Sequence, residues 1–276
     1  MHADAAREPL AAADSEATAR PLPPHPCPSL PPVPVPPADG AENPSTESGT
    51  ALSAHEAAER ARGLLYGPGS ATGRTLLGLA GPPAAGKSTL ARHIVAEIVR
   101  LEGPGAAAYL PLDGFHLANA QLDRLGLRAR KGAPATFDAA GYLALLRRVG
   151  EERFHEIYVP DFDRALDEPV AARHVVHPHT RLVVTEGNYL CAADTPWSAV
   201  RSLLRELWYV EADDDVRHSR LLARHTAGGG SAAAAARRIA ENDGPNGEFV
   251  KGSRSRCDLR VRATDLPAPA AGRSVL

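Results

Sequence analysis

The feature that most constrains this chain is the stretch GPPAAGKS, residues 81–88, which fits the pattern G-x-x-x-x-G-K-[ST]. Lysine occurs three times in the 276 residues, so a chance match to this pattern is rare. An apolar run over 76–80 precedes the stretch, and a helical pattern carrying Leu90, Ile94 and Ile98 follows it. A strand, a loop of small residues and a helix in this order predict a phosphate-binding turn.

Each part of the predicted loop has a physical role in binding phosphate. Small residues let the backbone curl until successive N–H groups point inward, and the helix N-terminus adds partial positive charge. Lys87 can reach the β- and γ-phosphates of a nucleotide, and the Ser88 hydroxyl can ligate Mg²⁺. We therefore expect ATP and Mg²⁺ as cofactors. The residues expected to bind them are Gly81, Pro82, Pro83, Ala84, Ala85, Gly86, Lys87, Ser88 and Thr89.

Composition limits where the fold lies and what it binds. Residues 1–50 contain 12 of the 25 prolines and no Phe, Trp or Tyr, which is too little apolar surface for a core. We predict a disordered Ala/Pro-rich tail over 1–52, a folded domain over 53–265 and a frayed end over 266–276. A net charge of −2 argues against a protein that wraps nucleic acid. No apolar run approaches about 18 residues, so we expect no membrane span.

The positions of the cysteines and histidines indicate the redox compartment of the protein and whether a metal site is expected. Cys27, Cys191 and Cys257 have no paired spacing, so they predict neither a disulfide framework nor a thiolate metal site. This usage fits a reducing compartment, and we expect a cytoplasmic protein. The HVVHPH stretch over 174–179 has no acidic or cysteine ligand beside it and favours a surface hairpin over a metal site. The sequence leaves the oligomeric state open between a monomer and a homodimer.

Apolar runs alternate with helical patterns along the rest of the chain. Strand-like runs cover 106–112, 181–185 and 207–210, with 257–263 as a last edge strand, and helical patterns cover 142–149, 196–204, 214–225 and 231–242. Such alternation is typical of a parallel sheet covered by helices. We predict an α/β fold of the P-loop NTPase type, a doubly wound parallel sheet with helices on both faces.

Two acidic residues follow predicted strands. Asp113 ends the run in LPLDGFH, and Glu186 ends the run in VVTEGNY. Ligands of open parallel sheets bind beyond the carboxyl ends of the strands. Asp113 is therefore placed to accept a proton from an attacking hydroxyl, and Glu186 to orient substrate or a magnesium-bound water. The alternative for both is a turn or capping carboxylate.

Four stretches in this order, GPPAAGKSTLA, LDGFHLAN, RKGAPATFD and TEGNYL, resemble the phosphoribulokinase/uridine kinase superfamily. Their order and spacing are similar to those of bacterial pantothenate kinases, and the chain also resembles shorter bacterial nucleoside/nucleotide kinase family members. The resemblance covers about residues 55–262. It implies an ATP-dependent phosphotransferase that acts on a hydroxyl of a small molecule, nucleoside-like or related.

The resemblance also implies roles for single residues. Asp113 matches the base or substrate anchor, Glu186 matches the acid of the E-G motif, and Lys87 matches the phosphate-binding lysine. A helical lid would bring Arg220 and Arg224 to the transferring phosphoryl group, the alternative being a solvated basic face. The implied substrate-binding residues are His116, Lys131, Phe137, Tyr158, Asp163, Arg164, Asn188 and Tyr189.

Two other functions stay open at this point. One is a pantothenate kinase, although pantothenate kinases carry a histidine in the stretch at Tyr158, and residues 158–160 contain none. The other is a switch or regulator that binds ATP without phosphorylating an acceptor. A switch needs no acceptor-aligning carboxylate, so Asp113 argues against it. The sequence does not identify the acceptor.

Overall fold

A computed structural model describes residues 51–67, 73–227, 229–263 and residue 266. The predicted disordered tail therefore lies outside the described residues except for positions 51 and 52, and the predicted frayed end does so except for Leu266. The domain limits read from the sequence stay a prediction.

The sheet explains why three predicted site segments share one edge. The strands of the described residues are β1 (Thr75–Ala80), β2 (Ala107–Pro111), β3 (Ile157–Asp163), β4 (Glu168–Val176), β5 (Leu182–Glu186), β6 (Glu206–Glu211) and β7 (Leu259–Arg262). Five of them form a sheet in the order β2–β5–β1–β6–β7, with every neighbouring pair parallel. Glu186 pairs with Leu79 on one side and Pro111 on the other. The carboxyl ends of β1, β2 and β5 therefore lie side by side.

Strands β3 and β4 form a separate antiparallel hairpin. Along β3, Ile157 and Val159 are buried and Tyr158 is exposed, as expected where one face of a hairpin packs on the protein. The HVVHPH stretch forms the end of β4 and the turn after it, which agrees with the predicted hairpin.

Helices alternate with the strands of the main sheet. They are α1 (Ala54–Gly63), α2 (Lys87–Glu102), α3 (Asn119–Leu125), α4 (Ala139–Glu151), α5 (Trp197–Leu203), α6 (Asp214–Ala227), α7 (Ala232–Arg238) and α8 (Gly244–Gly252). Ser53 caps α1 in a reciprocal capping box with Glu56, and Asp138 caps α4 at the amide of Gly141. None of the helices in the described part of the chain is long and apolar enough to cross a membrane.

Two apolar cores lie on opposite faces of the sheet. One contains Tyr142 and Leu146 of α4 with Trp197 of α5, and the other contains Leu90 and Ile94 of α2 together with apolar residues of α1. Strands β1, β2 and β5 carry nearly continuous buried runs because both of their faces are covered. The predicted doubly wound α/β fold, with β7 at one edge, is confirmed.

Candidate active site

The phosphate-binding sequence forms the turn between β1 and α2. The helix begins at Lys87, directly after Gly86, whose φ of +102° is a conformation that favours glycine. Ala84 takes a φ of +62°, so the turn also holds a non-glycine residue in the left-handed region. The resulting strand, loop and helix match the arrangement that the motif predicts.

Two arginines of helix α6 donate hydrogen bonds to the backbone of this loop. Arg217 donates from Nε to the carbonyl oxygen of Pro83 at 3.0 Å, and Arg220 donates from Nη1 to that of Ala84 at 3.2 Å. Arg217 is buried and also pairs with Asp214, 2.6 Å away. The site residues predicted from the sequence do not include Arg217, although it lies three positions before Arg220 on the same helical face.

Lys87 is buried beneath the loop. Its ammonium donates to the carbonyl oxygen of Pro82 at 3.1 Å and to Oδ1 of Asn188 at 2.6 Å. Burial lowers the pKa of Lys87 to about 8, against the opposing effect of the negative charges of Glu186 and Asp113. The structure thus places Asn188 against the lysine of the phosphate loop.

Glu186 lies buried at the end of β5, between α2 and β2. Its Oε1 accepts a hydrogen bond from the Ser88 hydroxyl at 2.9 Å and another from the Tyr109 hydroxyl at 2.8 Å. Burial first, and then the charge of Asp113, raise the pKa of Glu186 above its ordinary value. Sequence reasoning missed Tyr109, which sits in an apolar strand without a motif around it.

Asp113 lies beyond the end of β2, in a 3₁₀ turn over Leu112–Phe115. Its Oδ2 is 3.5 Å from Nη2 of Arg164, and its side chain stays one third exposed, at 33%. Burial alone would raise its pKa, but the positive charges of His116, Arg164 and Lys87 together bring it below the ordinary value. Asp113 is therefore an ionised carboxylate that solvent reaches.

Arg224 is an exposed residue of α6. The surrounding protein lowers its pKa first, the charge of Arg164 lowers it further, and the charges of Asp113 and Glu186 oppose this shift. The predicted lid arginines therefore differ in position. Arg220 contacts the backbone of the phosphate loop, and Arg224 lies within the electrostatic reach of both carboxylates.

Three of the residues that are predicted to bind substrate make hydrogen bonds and packing contacts within the protein. The Lys131 ammonium is buried and donates to Oδ1 of Asn119 at 2.7 Å, and it pairs with Asp167 at 3.1 Å. Phe137 and Tyr189 are buried in the core, where the Tyr189 hydroxyl donates to the carbonyl oxygen of Gly132 at 2.6 Å. These side chains make packing contacts and buried hydrogen bonds here, and their role in binding substrate stays a prediction.

The hairpin brings one of its three predicted substrate residues to the site. Tyr158 is exposed, and its hydroxyl donates to Glu156 at 3.0 Å. Asp163 accepts the backbone amides of Ala165 and Leu166, as a turn carboxylate does. Arg164 instead reaches Asp113. Arg164 therefore lies beside Asp113, whereas the contacts of Tyr158 and Asp163 lie within the hairpin region, and a substrate role for all three stays a prediction.

His116 packs beside the turn that carries Asp113. Its ring is 4.1 Å from that of Phe137 and 4.8 Å from that of Phe162, measured between centroids, and its Nδ1 is 2.8 Å from the carbonyl oxygen of Asp113. Burial lowers the pKa of His116. This placement keeps His116 among the candidate site residues.

The chain was compared with known proteins. No protein-family model matches it. "Putative uridine kinase C227.14" of Schizosaccharomyces pombe is 36% identical over 156 residues, covering 55% of this chain and 66% of that protein. "Uncharacterized protein YggC" of Escherichia coli is 37% identical over 195 residues, covering 70% of this chain and 79% of that protein. The crystal structure of a "putative fructose transport system kinase" from Silicibacter sp. TM1040 matches with 33% identity and a TM-score of 0.66, over 74% of this chain and 97% of that one.

A phosphate-binding turn on a doubly wound parallel sheet defines the class of P-loop nucleotide-binding proteins. Within that class, the Escherichia coli relative and the Silicibacter structure, which this chain covers over 79% and 97% of their lengths, narrow the assignment to one family. The chain belongs to the P-loop kinases of the uridine kinase/phosphoribulokinase type.

Proposed function

We propose that this protein transfers the γ-phosphoryl group of ATP to a hydroxyl of a small molecule. The observation that carries the proposal is the convergence of three charged groups at the carboxyl edge of the sheet. The charges of Glu186 and Asp113 both act on the pKa of Lys87, and the charge of Lys87 acts on the pKa of each carboxyl group. A cation for phosphate and a solvent-accessible carboxylate for a hydroxyl then lie within reach of each other's charge, as phosphoryl transfer between two bound molecules requires.

In this proposal the residues act mainly by position and charge. The loop backbone and Lys87 hold the phosphates, and Asp113 aligns the acceptor hydroxyl and takes its proton as the oxygen attacks. Arg224 offsets negative charge that develops on the phosphoryl group. Asn188 holds the Lys87 ammonium in place from the opposite side.

The donor atoms around Ser88 fit a magnesium ion. Mg²⁺ prefers oxygen ligands and is commonly held by one or two protein groups together with nucleotide phosphates. The Ser88 hydroxyl and the Glu186 carboxylate supply such oxygens 2.9 Å apart. No cluster of three or more His, Cys, Asp or Glu that could hold a metal occurs in the described ranges, so the phosphates would complete the site. The ion would supply charge neutralisation at the β- and γ-phosphates.

Names of relatives suggest which acceptors to test first. The Schizosaccharomyces pombe relative is named as a uridine kinase, and the Silicibacter structure as a kinase of fructose transport. Nucleosides and sugars both present hydroxyls of the kind that Asp113 would align. We therefore propose a panel of nucleosides, sugars, sugar phosphates and pantothenate.

The test is ADP release with each acceptor, using the parent protein and Asp113→Asn. Asparagine keeps the shape of the side chain but cannot take the proton, so we expect acceptor-dependent turnover to fall about 10²–10⁴-fold. The MgATP affinity of the variant should stay within a few-fold of the parent value, since loop and lysine are intact.

Asp123→Asn is the matched control, because Asp123 is exposed on α3 and pairs with Arg128 at 2.9 Å. We expect it to retain parental turnover. ATP binding by the parent without stimulation by any acceptor would overturn the kinase proposal and favour the switch. Parental turnover in Asp113→Asn would refute the role of Asp113.

A further inference from the structure

Glu186 is held by two hydroxyl groups at one of its two carboxylate oxygens. Ser88 and Tyr109 both donate to Oε1, at 2.9 Å and 2.8 Å. No hydrogen bond to Oε2 is found within the part of the chain that the structure describes. The carboxylate is thus fixed on one side and available on the other.

The ring of Tyr109 is itself fixed by two different elements. The Arg92 guanidinium of α2 lies 5.0 Å from the ring centroid, and the His174 ring of β4 contacts it edge-on at 5.1 Å. Asp161 of β3 is within 3.5 Å of Arg92 and 2.8 Å of His174. The tyrosine hydroxyl therefore reaches Glu186 from a ring that the P-loop helix and the hairpin both support.

We propose that Tyr109 is a positioning residue, which holds Glu186 in the orientation that serves Ser88 and a bound magnesium–ATP. The proposal rests on the kinase function proposed above. A hydroxyl has one donor and two acceptor lone pairs, so Ser88 that donates to Glu186 presents its lone pairs to a cation. Tyr109 keeps Glu186 in the position where its carboxylate accepts the hydrogen bond from Ser88. Without the tyrosine hydroxyl, Ser88 is the remaining hydrogen-bond donor to the carboxylate among the residues that the structure describes.

The variant Tyr109→Phe removes the hydroxyl and keeps the ring against Arg92 and His174. The measurement is the dissociation constant of ATP by calorimetry, once with excess Mg²⁺ and once with EDTA. The ratio of the two constants reports how much the metal strengthens ATP binding. We expect Tyr109→Phe to lower this ratio about 3- to 10-fold, the size of one lost hydrogen bond, and to leave metal-free ATP affinity unchanged.

Tyr142→Phe is the matched control for the loss of a buried hydroxyl. Tyr142 is fully buried, and its hydroxyl lies 2.6 Å from Oγ1 of Thr185, the residue before Glu186 on β5. This variant tests whether the loss of any hydrogen bond at β5 reduces the effect of Mg²⁺ on ATP binding. We expect Tyr142→Phe to keep the parental ratio of ATP constants.

A double variant locates the effect at Glu186. In a Glu186→Gln background, Tyr109→Phe should change the ratio by less than about twofold, since the two residues act through one contact. Melting temperatures check that each variant folds.

The outcomes separate the two proposals. A parental ratio in Tyr109→Phe, equal losses in both tyrosine variants, or full additivity with Glu186→Gln would overturn the role of Tyr109 and leave the kinase proposal standing. A parent that binds no ATP, or binds it without any effect of Mg²⁺, would overturn both.

Discussion

The surroundings of Lys87 in the folded protein favour the binding of an anion. The ammonium is buried against two neutral acceptors, the Pro82 carbonyl and the Asn188 amide oxygen. Neither carries the full charge that would repay burial, which is why the lysine pKa falls to about 8. Phosphate oxygens supply that charge. The lysine therefore interacts more favourably with bound nucleotide than with the empty loop.

Lys87→Met should weaken MgATP binding about 10- to 100-fold, the effect of losing a charge-assisted hydrogen bond, and should nearly abolish turnover. Methionine keeps most of the apolar stem in place. Calorimetry with MgATP measures the change.

Lys251→Met serves as the control, since Lys251 pairs with Asp214 and Glu248 on the surface of α8. It should bind MgATP as the parent does. An affinity within twofold of the parent in Lys87→Met would contradict the assigned contact.

At the residue scale, sequence predicts groups that belong to a motif and misses groups that packing brings in. The phosphate loop, Asp113 and Glu186 follow from spacing and from strand ends. Tyr109 could not be predicted as a partner of Glu186, because 77 positions separate them and only the sheet makes them neighbours. For Tyr189, its place in a motif predicts substrate binding, which stays a prediction, and packing places its ring in the core.

Among the elements, the β3–β4 hairpin contacts the site although it is outside the main sheet. It packs on the 3₁₀ turn that carries Asp113 and delivers Arg164 to that carboxylate. The contact is close at Gly114, where an added Cβ would lie 2.4 Å from the carbonyl oxygen of Pro160. Any larger residue would force the hairpin and the turn apart.

Gly114→Ala should therefore lower the free energy of unfolding by about 1–3 kcal/mol, the usual cost of overpacking. It should also reduce kcat/KM for the acceptor, because Arg164 and Asp113 separate. Urea unfolding and steady-state kinetics measure the two effects.

Gly150→Ala gives the comparison, since no atom of the described residues lies within 4 Å of an added Cβ there and the residue is in α4. It should raise the free energy of unfolding by about 0.5 kcal/mol through helix propensity. Equal effects of the two substitutions would contradict the close packing at Gly114.

At this scale, the sequence predicted the elements of the main sheet and missed part of the hairpin. The runs at 106–112, 182–184 and 207–210 are buried on both faces, so each is mainly apolar and easy to recognise. Strand β3 carries Pro160 and two aspartates and is interrupted by a bulge, so its alternation is weak. Helix α1 lacks large apolar residues and packs through alanines.

For the whole molecule, Glu102 connects parts that are distant in sequence. At the end of α2, it accepts hydrogen bonds from Tyr66, from Arg62 of α1 and from Arg181 just before β5. The tyrosine hydroxyl and the two arginines lower the pKa of Glu102 to about 2. The carboxylate is therefore ionised in the folded protein far into the acid range.

A carboxylate with a lowered pKa stabilises the folded state above the unfolded value of 4.5, and this contribution is lost as the pH falls from 4.5 to about 2. Glu102→Gln should lower the free energy of unfolding at pH 7. The difference from the parent should shrink across that acid range. Chemical unfolding at several pH values measures it.

Glu59→Gln should follow the parent curve, because Glu59 forms an exposed pair with His55. A constant difference between Glu102→Gln and the parent from pH 7 to pH 2 would contradict the assignment.

The two arginine contacts from α6 to the phosphate loop limit how the protein can close. Arg217 and Arg220 donate hydrogen bonds to the carbonyl oxygens of Pro83 and Ala84, so two side chains connect the first half of α6 to the loop. Arg224 lies one turn further along the same helix. A hinge that changes the distance from Arg224 to the phosphates must therefore lie after Arg220, or both contacts must break.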